Sequence, residues 1–297
     1  MPPELGLVCI TLSKEVRYRT ITRTRLLALS PESQRKQLDD IYRDNIQTLE
    51  AAFRYCEREG IRLYRIVSSI FPFADEDIGR EVLKPFTAAL ARAGQYATAR
   101  NIRLVMHPDQ FVVLSSDSES VVANSVKILQ MHADIMDLLE QPRSPWALLE
   151  IHGGKSDRAD ALVARIATLP DAIRLRLGLE NDEYAYSADE ICAICLRSGL
   201  PMVFDAHHHI VHERLDSYDH PSVAHMLAQA RATWPDPAMQ LVHISNGRES
   251  FNDRQHADLI DVMPACYALA PYIEIEAKSK EEAIRKLRGW QAAVQPT

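Results

Sequence analysis

The sequence predicts a (β/α)8 TIM barrel, built as a single domain from residues 1–297. Eight short apolar runs rich in β-branched residues alternate with longer segments whose apolar residues recur at helical spacing. This alternation is typical of right-handed βαβ units and a parallel sheet, and eight such units close into a barrel. An open, doubly wound sheet is disfavoured, because no glycine-rich phosphate-binding turn follows the first predicted strand.

The predicted strands and helices follow one another from end to end of the chain. Strands are expected at residues 5–12, 62–69, 102–108, 146–153, 175–181, 201–208, 239–245 and 272–278. Helical patterns are expected at residues 31–60, 120–140, 187–200, 220–234, 255–270 and 279–294. No low-complexity linker interrupts this order, which favours one domain over two.

The composition is that of an ordinary globular chain. Hydrophobic residues make up 46% of the sequence and charged residues 25%, and no apolar run reaches the roughly 18 residues of a membrane span. The N-terminus has no basic segment followed by a long apolar one, so no secretory signal is visible. We therefore expect a cytoplasmic protein without membrane attachment, and no pattern indicates an obligate protein partner.

Five cysteines are present, an odd number at wide spacing, which disfavours a disulfide framework. Cys192 and Cys195 form a C-x-x-C pair of the kind found in zinc and redox sites. The pair lies in an amphipathic helical pattern and has no partner pair elsewhere. We expect both residues to be buried helix cysteines.

The formal net charge of −7 requires that any nucleic-acid-binding surface be local, because such surfaces are basic. One basic cluster stands out early in the chain, and it comprises Lys14, Arg17, Arg19, Arg23 and Arg25. A solvated loop and a phosphate-binding surface both explain this composition, and composition alone does not choose between them.

Ionisable residues interrupt the apolar pattern at the carboxyl ends of six consecutive predicted strands. They are His107; Glu150 and His152; Glu180; Asp205 with His207, His208 and His209; His243 with His256 beyond it; and Glu276. All strand carboxyl ends of a barrel lie on one face, so these side chains are expected to converge. His209 and His212 are weaker ligand candidates, and His132, His220 and His225 are expected to be structural residues on helices.

A site of this composition is typical of a metal centre. Histidine, aspartate and glutamate without cysteine suit zinc or manganese, and a carboxylate can bridge two ions. Paired ions lower the pKa of a bound water and stabilise the attacking and leaving oxygens of a phosphoryl displacement. The pattern therefore predicts metal-dependent chemistry at the barrel mouth.

The motifs along the chain resemble those of the UV damage endonuclease family, a relative of endonuclease IV among the xylose-isomerase-like barrels. In chain order they are VRYRTITRTR, YRIVSSIFPF, MHPDQF, EIHGG, LEND, FDAHHH, VHIS, DRQH and IEIEAKSKE. They span almost the whole sequence. The resemblance implies incision of double-stranded DNA immediately 5′ to cyclobutane pyrimidine dimers and 6-4 photoproducts, which leaves a 3′-hydroxyl and a 5′-phosphate.

The resemblance also implies Mn²⁺ at two or three sites, with Mg²⁺ or Zn²⁺ as alternatives. Carried over to this chain, His107, His152 and Glu180 would hold one ion. Glu180, Asp205, His243 and Glu276 would hold the second, with Glu180 bridging, and His208 and His256 would contribute to a third. Glu180, His243 and Glu276 are the implied catalytic residues. Glu150 and Glu274 lie on the ligand side of their strands by period-two alternation, but we expect them behind the ligands.

Gln110 and Phe111 resemble the pair with which the family probes damaged DNA. An aromatic ring can stack where displaced bases were, and an amide can pair with the orphaned bases. A distorted dimer is easier to unstack than intact base pairs, so selectivity for lesions can come from DNA deformability. Arg17, Arg19, Arg23 and Arg25 would then be phosphate contacts.

The chain departs from the family pattern at two places. Leu241 stands where some relatives carry a lysine near the metals, and the first strand lacks an aromatic and an asparagine that touch the lesion in some members. Three other functions fit the same barrel. They are an abasic-site endonuclease of the endonuclease IV type, a metal-dependent sugar isomerase, and a damage sensor that binds without cutting.

Overall fold

Eight parallel strands form a closed barrel in which each strand pairs with its neighbours in sequence and the last pairs with the first. The computed structural model describes residues 2–108 and 112–294, with side chains up to residue 289. The strands are β1 (Glu4–Val8), β2 (Leu63–Ile66), β3 (Arg103–Met106), β4 (Leu149–His152), β5 (Leu177–Glu180), β6 (Met202–Asp205), β7 (Leu241–Ile244) and β8 (Tyr272–Ile275). The predicted (β/α)8 fold class is confirmed.

Helices connect the strands and cover the outside of the barrel. They are α1 (Arg23–Leu27), α2 (Pro31–Glu59), α3 (Asp77–Leu83), α4 (Thr87–Ala99), α5 (Glu119–Leu138), α6 (Ala159–Ala167), α7 (Asp171–Arg174), α8 (Ala188–Ser198), α9 (Ala206–Glu213), α10 (Pro221–Ala232) and α11 (Lys280–Val294). Short 3-10 helices lie at Lys84–Phe86, Pro145–Ala147, Pro237–Met239 and Ala265–Leu269.

The longest helix, α2, has clear boundary signals in the sequence. The hydroxyl of Ser30 accepts a hydrogen bond from the backbone N–H of Ser33, and Pro31 occupies the first helical position. Gly60 ends the helix at φ 64°, a left-handed conformation that favours glycine. Between these ends, a buried apolar face packs against the sheet.

Alternate residues of the strands point into the barrel and form layers. A lower apolar layer contains Leu63, Val105, Leu148, Val203 and Leu241, all fully buried. Because side chains alternate along a strand, the residues two positions further on face the same interior space. The polar residues at the strand ends therefore lie directly above this layer.

Arg103 closes the amino-terminal end of the barrel. Its guanidinium is fully buried, stacks on the rings of Trp146, Trp234 and Tyr272, and donates to three backbone carbonyl oxygens. Burial lowers the pKa of Arg103 to about 10. Arg103 and the three rings thus fill the end of the barrel opposite the metal-ligand candidates.

Two sequence predictions fail in detail. The predicted helix at 255–270 is wrong, because the segment is irregular apart from the 3-10 turn at Ala265–Leu269. Pro264 cannot continue a helix, and the amide oxygen of Asn246 accepts the backbone N–H groups of Asp261 and Val262. The predicted strand at 201–208 ends three residues early, since Asp205 starts α9.

Smaller differences concern the remaining segments. Helices α1, α3, α4, α6, α7 and α9 fill stretches for which no helix was predicted. Cys192 and Cys195 lie buried on α8 as free cysteines, as expected. No helix in the part of the chain that the structure describes has the length and apolar character of a membrane span.

Candidate metal centre

Glu180, the last residue of β5, lies at the centre of a group of imidazoles at the barrel mouth. Its Oε2 atom is 3.0 Å from Nε2 of His107 and 3.7 Å from Nε2 of His152. Its Oε1 atom is 2.9 Å from Nδ1 of His243 and 3.3 Å from Nδ1 of His208. One carboxylate thus contacts side chains from four other elements, as a bridging ligand would.

Asp205 starts a helix and faces the same pocket. Its Oδ1 atom accepts a hydrogen bond from the backbone N–H of His208 at 2.8 Å, which caps α9. The side chain of Asn181 bonds the backbone N–H and carbonyl of Asp205, at 3.0 and 2.9 Å. Oδ2 of Asp205 is buried and has no hydrogen-bond partner among the described residues. The carboxylate is therefore held rigidly with one oxygen free.

Backbone carbonyls orient two of the imidazoles. Nδ1 of His107 is 3.0 Å from the carbonyl oxygen of Pro108, and Nδ1 of His208 is 2.9 Å from that of Asn181. A carbonyl oxygen only accepts, so Nδ1 of each ring carries the proton. Metal-binding histidines commonly have their second nitrogen fixed in this way.

Four groups of three residues bring their ligand atoms within 4.8 Å of one another. Three groups lie at the mouth and comprise His107, His152 and Glu180; Glu180, Asp205 and His208; and Asp205, His243 and Glu276. The fourth, Glu150 with His243 and Glu274, involves the residues two positions before His152 and Glu276. The predicted convergence of strand-end ligands therefore describes the geometry of the mouth.

The chemistry of the mouth fits divalent cations. Oδ2 of Asp205 and Nδ1 of His152 are buried polar atoms without a hydrogen-bond partner among the described residues. Such atoms are costly to bury unless something binds them. The imidazole and carboxylate donors, without a thiolate, suit Zn²⁺ or Mn²⁺. These residues could thus hold metal ions.

The carboxylates and imidazoles at the mouth shift one another's pKa. Burial raises the pKa of Glu180, but the neighbouring histidines outweigh it and hold the pKa well below the usual range. Burial lowers the pKa of His243 and His208, but nearby carboxylates, Glu180 for both and Asp205 for His208, raise each pKa well above its usual value. Without metal, these shifts therefore favour protonated His243 and His208 beside an ionised Glu180.

Arg65 is a buried residue of this centre that the sequence analysis missed. It is the third residue of β2, and its guanidinium contacts Glu274, Glu276 and His243. The available signal was a charge within the otherwise buried strand LYRI, in a motif that the family resemblance already included. Glu150 and Glu274 lie two positions before His152 and Glu276 on their strands, behind the candidate ligands of the mouth.

The consecutive histidines of α9 do not all face the metal centre. Residues on a helix are rotated by about 100° from one to the next, and His208 is the one that faces Glu180. His207 is hydrogen-bonded to the hydroxyl of Tyr218 and to the carbonyl of Asp253. His209 packs on Phe204, and burial lowers its pKa to about 4.

His256 lies at the rim. Its Nδ1 is 3.7 Å from Oε2 of Glu276, and its side chain is about a third exposed. The four groups found among the described residues do not include it. Of the implied third-site residues, His208 instead shares a group with Glu180 and Asp205.

Four basic residues belong to the segment that follows the carboxyl end of β1. Arg17, Arg19, Arg23 and Arg25 are all exposed. Arg19 pairs with Asp44 and Arg23 pairs with Glu76, whereas no ion pair of Arg17 or Arg25 occurs among the described residues. Gln110 and Phe111 lie outside the residues that the structure describes.

Two cavities border the metal-ligand candidates. One, of about 450 Å³, is lined among others by His152, Lys155, Asp182, Tyr184 and Arg254. The other, of about 380 Å³, is lined by Val8, Arg65, Gln255, His256, Glu276, Ala277, Lys278 and Lys280. The two cavities therefore reach different metal-ligand candidates, His152 in one and His256 and Glu276 in the other.

The chain matches the family model described as UV-endonuclease UvdE over residues 3–293. This chain belongs to that family. Its similarity to a UV DNA damage endonuclease of Nostoc sp. is 55% identity over 290 residues, 97% of this chain and 90% of the relative. A UV DNA damage endonuclease of Deinococcus radiodurans is 50% identical over 289 residues, 96% and 95% of the two chains.

The UvdE family also includes a solved structure with the same architecture. The crystal structure of SacUVDE superposes with a TM-score of 0.81 at 25% identity, covering 97% of this chain and 99% of that chain. Family membership makes the protein an endonuclease of DNA repair, with DNA as the molecule it acts on. The resemblance found in the motifs is confirmed.

Proposed function

We propose that the protein cuts double-stranded DNA at the phosphodiester immediately 5′ to cyclobutane pyrimidine dimers and 6-4 photoproducts, leaving a 3′-hydroxyl and a 5′-phosphate. The reaction depends on two or three divalent ions, with Mn²⁺ as the principal metal. The observation that carries this proposal is the placement of Glu180 between two groups of ligand side chains at the mouth. The UvdE family match supports the choice of UV lesions as the substrate.

The residues at the mouth divide into ligand sets that share members. His107, His152 and Glu180 would hold one ion, and Asp205, His243 and Glu276 would hold a second that Glu180 also reaches. Bound divalent ions would supply Lewis acidity to the phosphate oxygens and a water of lowered pKa. Hydrolysis forms a P–O bond from water and breaks the P–O3′ bond, and the departing O3′ takes up a proton.

The chain's own cations balance the charge of the DNA backbone. Lys278 and Lys280 line the cavity beside Glu276, where a phosphate next to the cut can reach them. Lys155 lies in the other cavity, but its ammonium pairs with Asp117. We therefore assign phosphate binding to Lys278 and Lys280, with Arg17 and Arg25 as further contacts along the strand.

Lesion selectivity is assigned to Gln110 and Phe111. Phe111 would stack in the space left when the damaged dinucleotide is displaced, and Gln110 would pair with the orphaned bases opposite. A dimer is already distorted, so displacing it costs less than displacing intact bases. The exposed ring of Tyr184, with the guanidinium of Arg254 3.8 Å from its centre, offers another stacking surface in the groove.

The test is incision of a defined duplex that carries one cyclobutane dimer, with the ends mapped at single-nucleotide resolution. We expect one cut directly 5′ to the dimer, a 3′ end that a DNA polymerase extends and a 5′ end that a DNA ligase joins. A chelator should stop the reaction. Mn²⁺, Mg²⁺ and Zn²⁺, each added back after removal of the chelator, should restore it to different extents.

Assays with other substrates distinguish the proposed activity from the three alternative functions. Faster cutting of an abasic-site duplex than of the dimer duplex would favour an endonuclease IV-type activity. Ketose–aldose exchange on free sugars would favour an isomerase, and tight binding without a nick in any metal would favour a damage sensor. Any of these three results would contradict the proposal.

A further inference from the structure

A fourth group of potential metal ligands lies one layer below the mouth. Glu150, His243 and Glu274 are all fully buried, and their ligand atoms lie within 4.8 Å of one another. Oε1 of Glu150 and Oε1 of Glu274 have no hydrogen-bond partner among the described residues. By residue type and spacing, this deep cluster resembles the groups at the mouth.

The guanidinium of Arg65 occupies the space beside this deep cluster. Its Nε donates to Oε2 of Glu274 at 2.7 Å, and one terminal nitrogen lies 3.0 Å from Nε2 of His243 and 3.7 Å from Oε2 of Glu150. The same nitrogen also pairs with Glu274. A single cationic group therefore contacts all three members of the cluster.

The other end of the guanidinium reaches the mouth. The second terminal nitrogen donates to Oε1 of Glu276 at 2.6 Å. Glu276 belongs to the mouth group with Asp205 and His243, whereas Glu150 and Glu274 belong to the deep cluster alone. Arg65 thus links the two levels of the barrel interior.

We propose that Arg65 acts as a built-in cation that closes the deep cluster of Glu150, His243 and Glu274 to divalent ions and holds Glu276 in place for the mouth. Arginine remains protonated in proteins, and its planar fork suits carboxylates. Two buried carboxylates so close together need a compensating positive charge, which a guanidinium or a metal ion can supply. Because Arg65 supplies it permanently, metal binding is confined to the mouth.

The inference rests on the metal binding that the proposed function requires, and it concerns where ions bind, not the reaction itself. Its test is the number of Mn²⁺ ions bound per chain, measured by equilibrium dialysis and by the Mn²⁺ EPR signal. In Arg65→Met, which keeps an unbranched side chain but removes the guanidinium and its charge, we expect one more bound ion than in the unmodified protein. Adding Glu150→Gln to Arg65→Met should remove that extra ion.

Two single variants serve as controls. Arg65→Lys retains a positive charge and should keep the original ion count. Arg62→Met alters an arginine that immediately precedes the same strand, outside the mouth, and should leave the count unchanged. A folded Arg65→Met protein that binds the same number of ions, or fewer, would overturn the proposal, as would an extra ion in Arg65→Lys.

The proposal remains testable if Arg65→Met does not fold. Glu150→Gln alone should then leave both the number of bound Mn²⁺ ions and their dissociation constants unchanged, because the deep cluster holds no ion. Loss of an ion in that variant would overturn the inference. If the unmodified protein binds no ion but Arg65→Met binds one, the role of Arg65 stands and the proposed metal dependence of cutting fails.

Discussion

Oδ1 of Asp205 accepts the backbone N–H of His208 at 2.8 Å, so that one carboxylate both caps α9 and projects its second oxygen into the metal centre. The cap fixes the first turn of the helix, and that turn places the His208 ring beside Glu180. Helix formation and ligand geometry therefore depend on the same side chain. An asparagine at this position would separate the two roles.

Asp205→Asn should weaken metal binding without unfolding the protein. Asparagine caps helices about as well as aspartate, so α9 should stay folded, and the melting temperature of the metal-free protein should fall only through the lost charge interaction with His208. Loss of the negative charge should raise the dissociation constant of Mn²⁺ by at least about tenfold. Calorimetric titration with Mn²⁺ and thermal unfolding measure the two effects. Asp236→Asn, at the cap of the short helix Pro237–Met239, is the matched control and should leave Mn²⁺ affinity unchanged.

Glu180→Gln should abolish cutting of dimer-containing DNA, with a rate at least about 100-fold lower, because an amide is a poor bridging ligand. Cutting is measured under single-turnover conditions with saturating Mn²⁺, and circular dichroism checks the fold. Glu213→Gln, an exposed glutamate at the end of α9, is the control and should cut normally. Activity of Glu180→Gln within a factor of a few of the control would refute the bridging role.

The metal-free protein should lose stability as the pH rises above neutrality. The raised pKa values of His243 and His208 contribute to the free energy of unfolding. This contribution is fully present below about pH 6.5 and is lost as the pH rises through the pKa values of the folded state. The lowered pKa values of Glu180 and Glu276 contribute stability that is present above about pH 4.5. It is lost only as the pH falls through the pKa values of these two carboxyl groups in the folded state.

The free energy of unfolding of the chelator-treated protein, measured in urea, should therefore be greater at pH 7.0 than at pH 8.5. Both values lie above the range in which the lowered pKa values of His209 and His152 act in the opposite direction. Saturating Mn²⁺ should stabilise the protein more at pH 8.5, because the ligands must lose their protons to bind metal. Equal stability of the metal-free protein at both pH values would contradict the electrostatic description of the centre.

Arg17→Gln and Arg25→Gln should each weaken DNA binding to a similar extent for damaged and undamaged duplexes. Phosphate contacts carry no sequence information, and each one lost should reduce the slope of log Kd against log salt by about one. Fluorescence anisotropy over a range of salt concentrations measures this. Arg35→Gln, on α2 and paired with Glu81, is the control, and a slope unchanged in all three variants would rule out these contacts.

Phe111→Ala should reduce discrimination between damaged and undamaged DNA. Stacking of one base on an aromatic ring contributes about 1–3 kcal/mol, so affinity for a dimer-containing duplex should fall roughly 5- to 150-fold, with a smaller change for intact DNA. The ratio of the two dissociation constants is the quantity to compare. A ratio unaffected by this substitution would assign lesion recognition elsewhere, and Phe251→Ala provides an exposed aromatic control.

The convergence of ionisable side chains at the barrel mouth could be predicted from the sequence, because it follows from the alternation of strands with helices and from the alternation of side chains along each strand. Strands end at one rim, and alternate residues face inward, which is sufficient to bring the strand-end histidines and carboxylates to one face; the trio of His107, His152 and Glu180 came from the family resemblance. Their convergence requires no long-range information beyond the fold class.

Other features depend on contacts that periodicity does not encode. Arg65 is hydrogen-bonded to Glu274, which is 209 residues away in the sequence. The charge of Arg65 can be buried because this carboxylate compensates it. The orientation of the α9 histidines depends on where β6 ends. It ends at Asp205 because the side chain of that residue caps α9 through a hydrogen bond to the backbone N–H of His208. The segment 255–270 has helical spacing, yet Pro264 and the side chain of Asn246 direct its backbone elsewhere.

Arg103 gives the barrel a closed lower end, since its guanidinium is bonded to carbonyl oxygens and enclosed by three aromatic rings. Ions, water and chelators would therefore enter and leave the centre through the barrel mouth, the opening that bound DNA would cover. A bound duplex would consequently block this opening. Metal ions would then dissociate more slowly from the DNA complex than from the free enzyme. Order of addition would then govern how quickly a chelator halts the reaction.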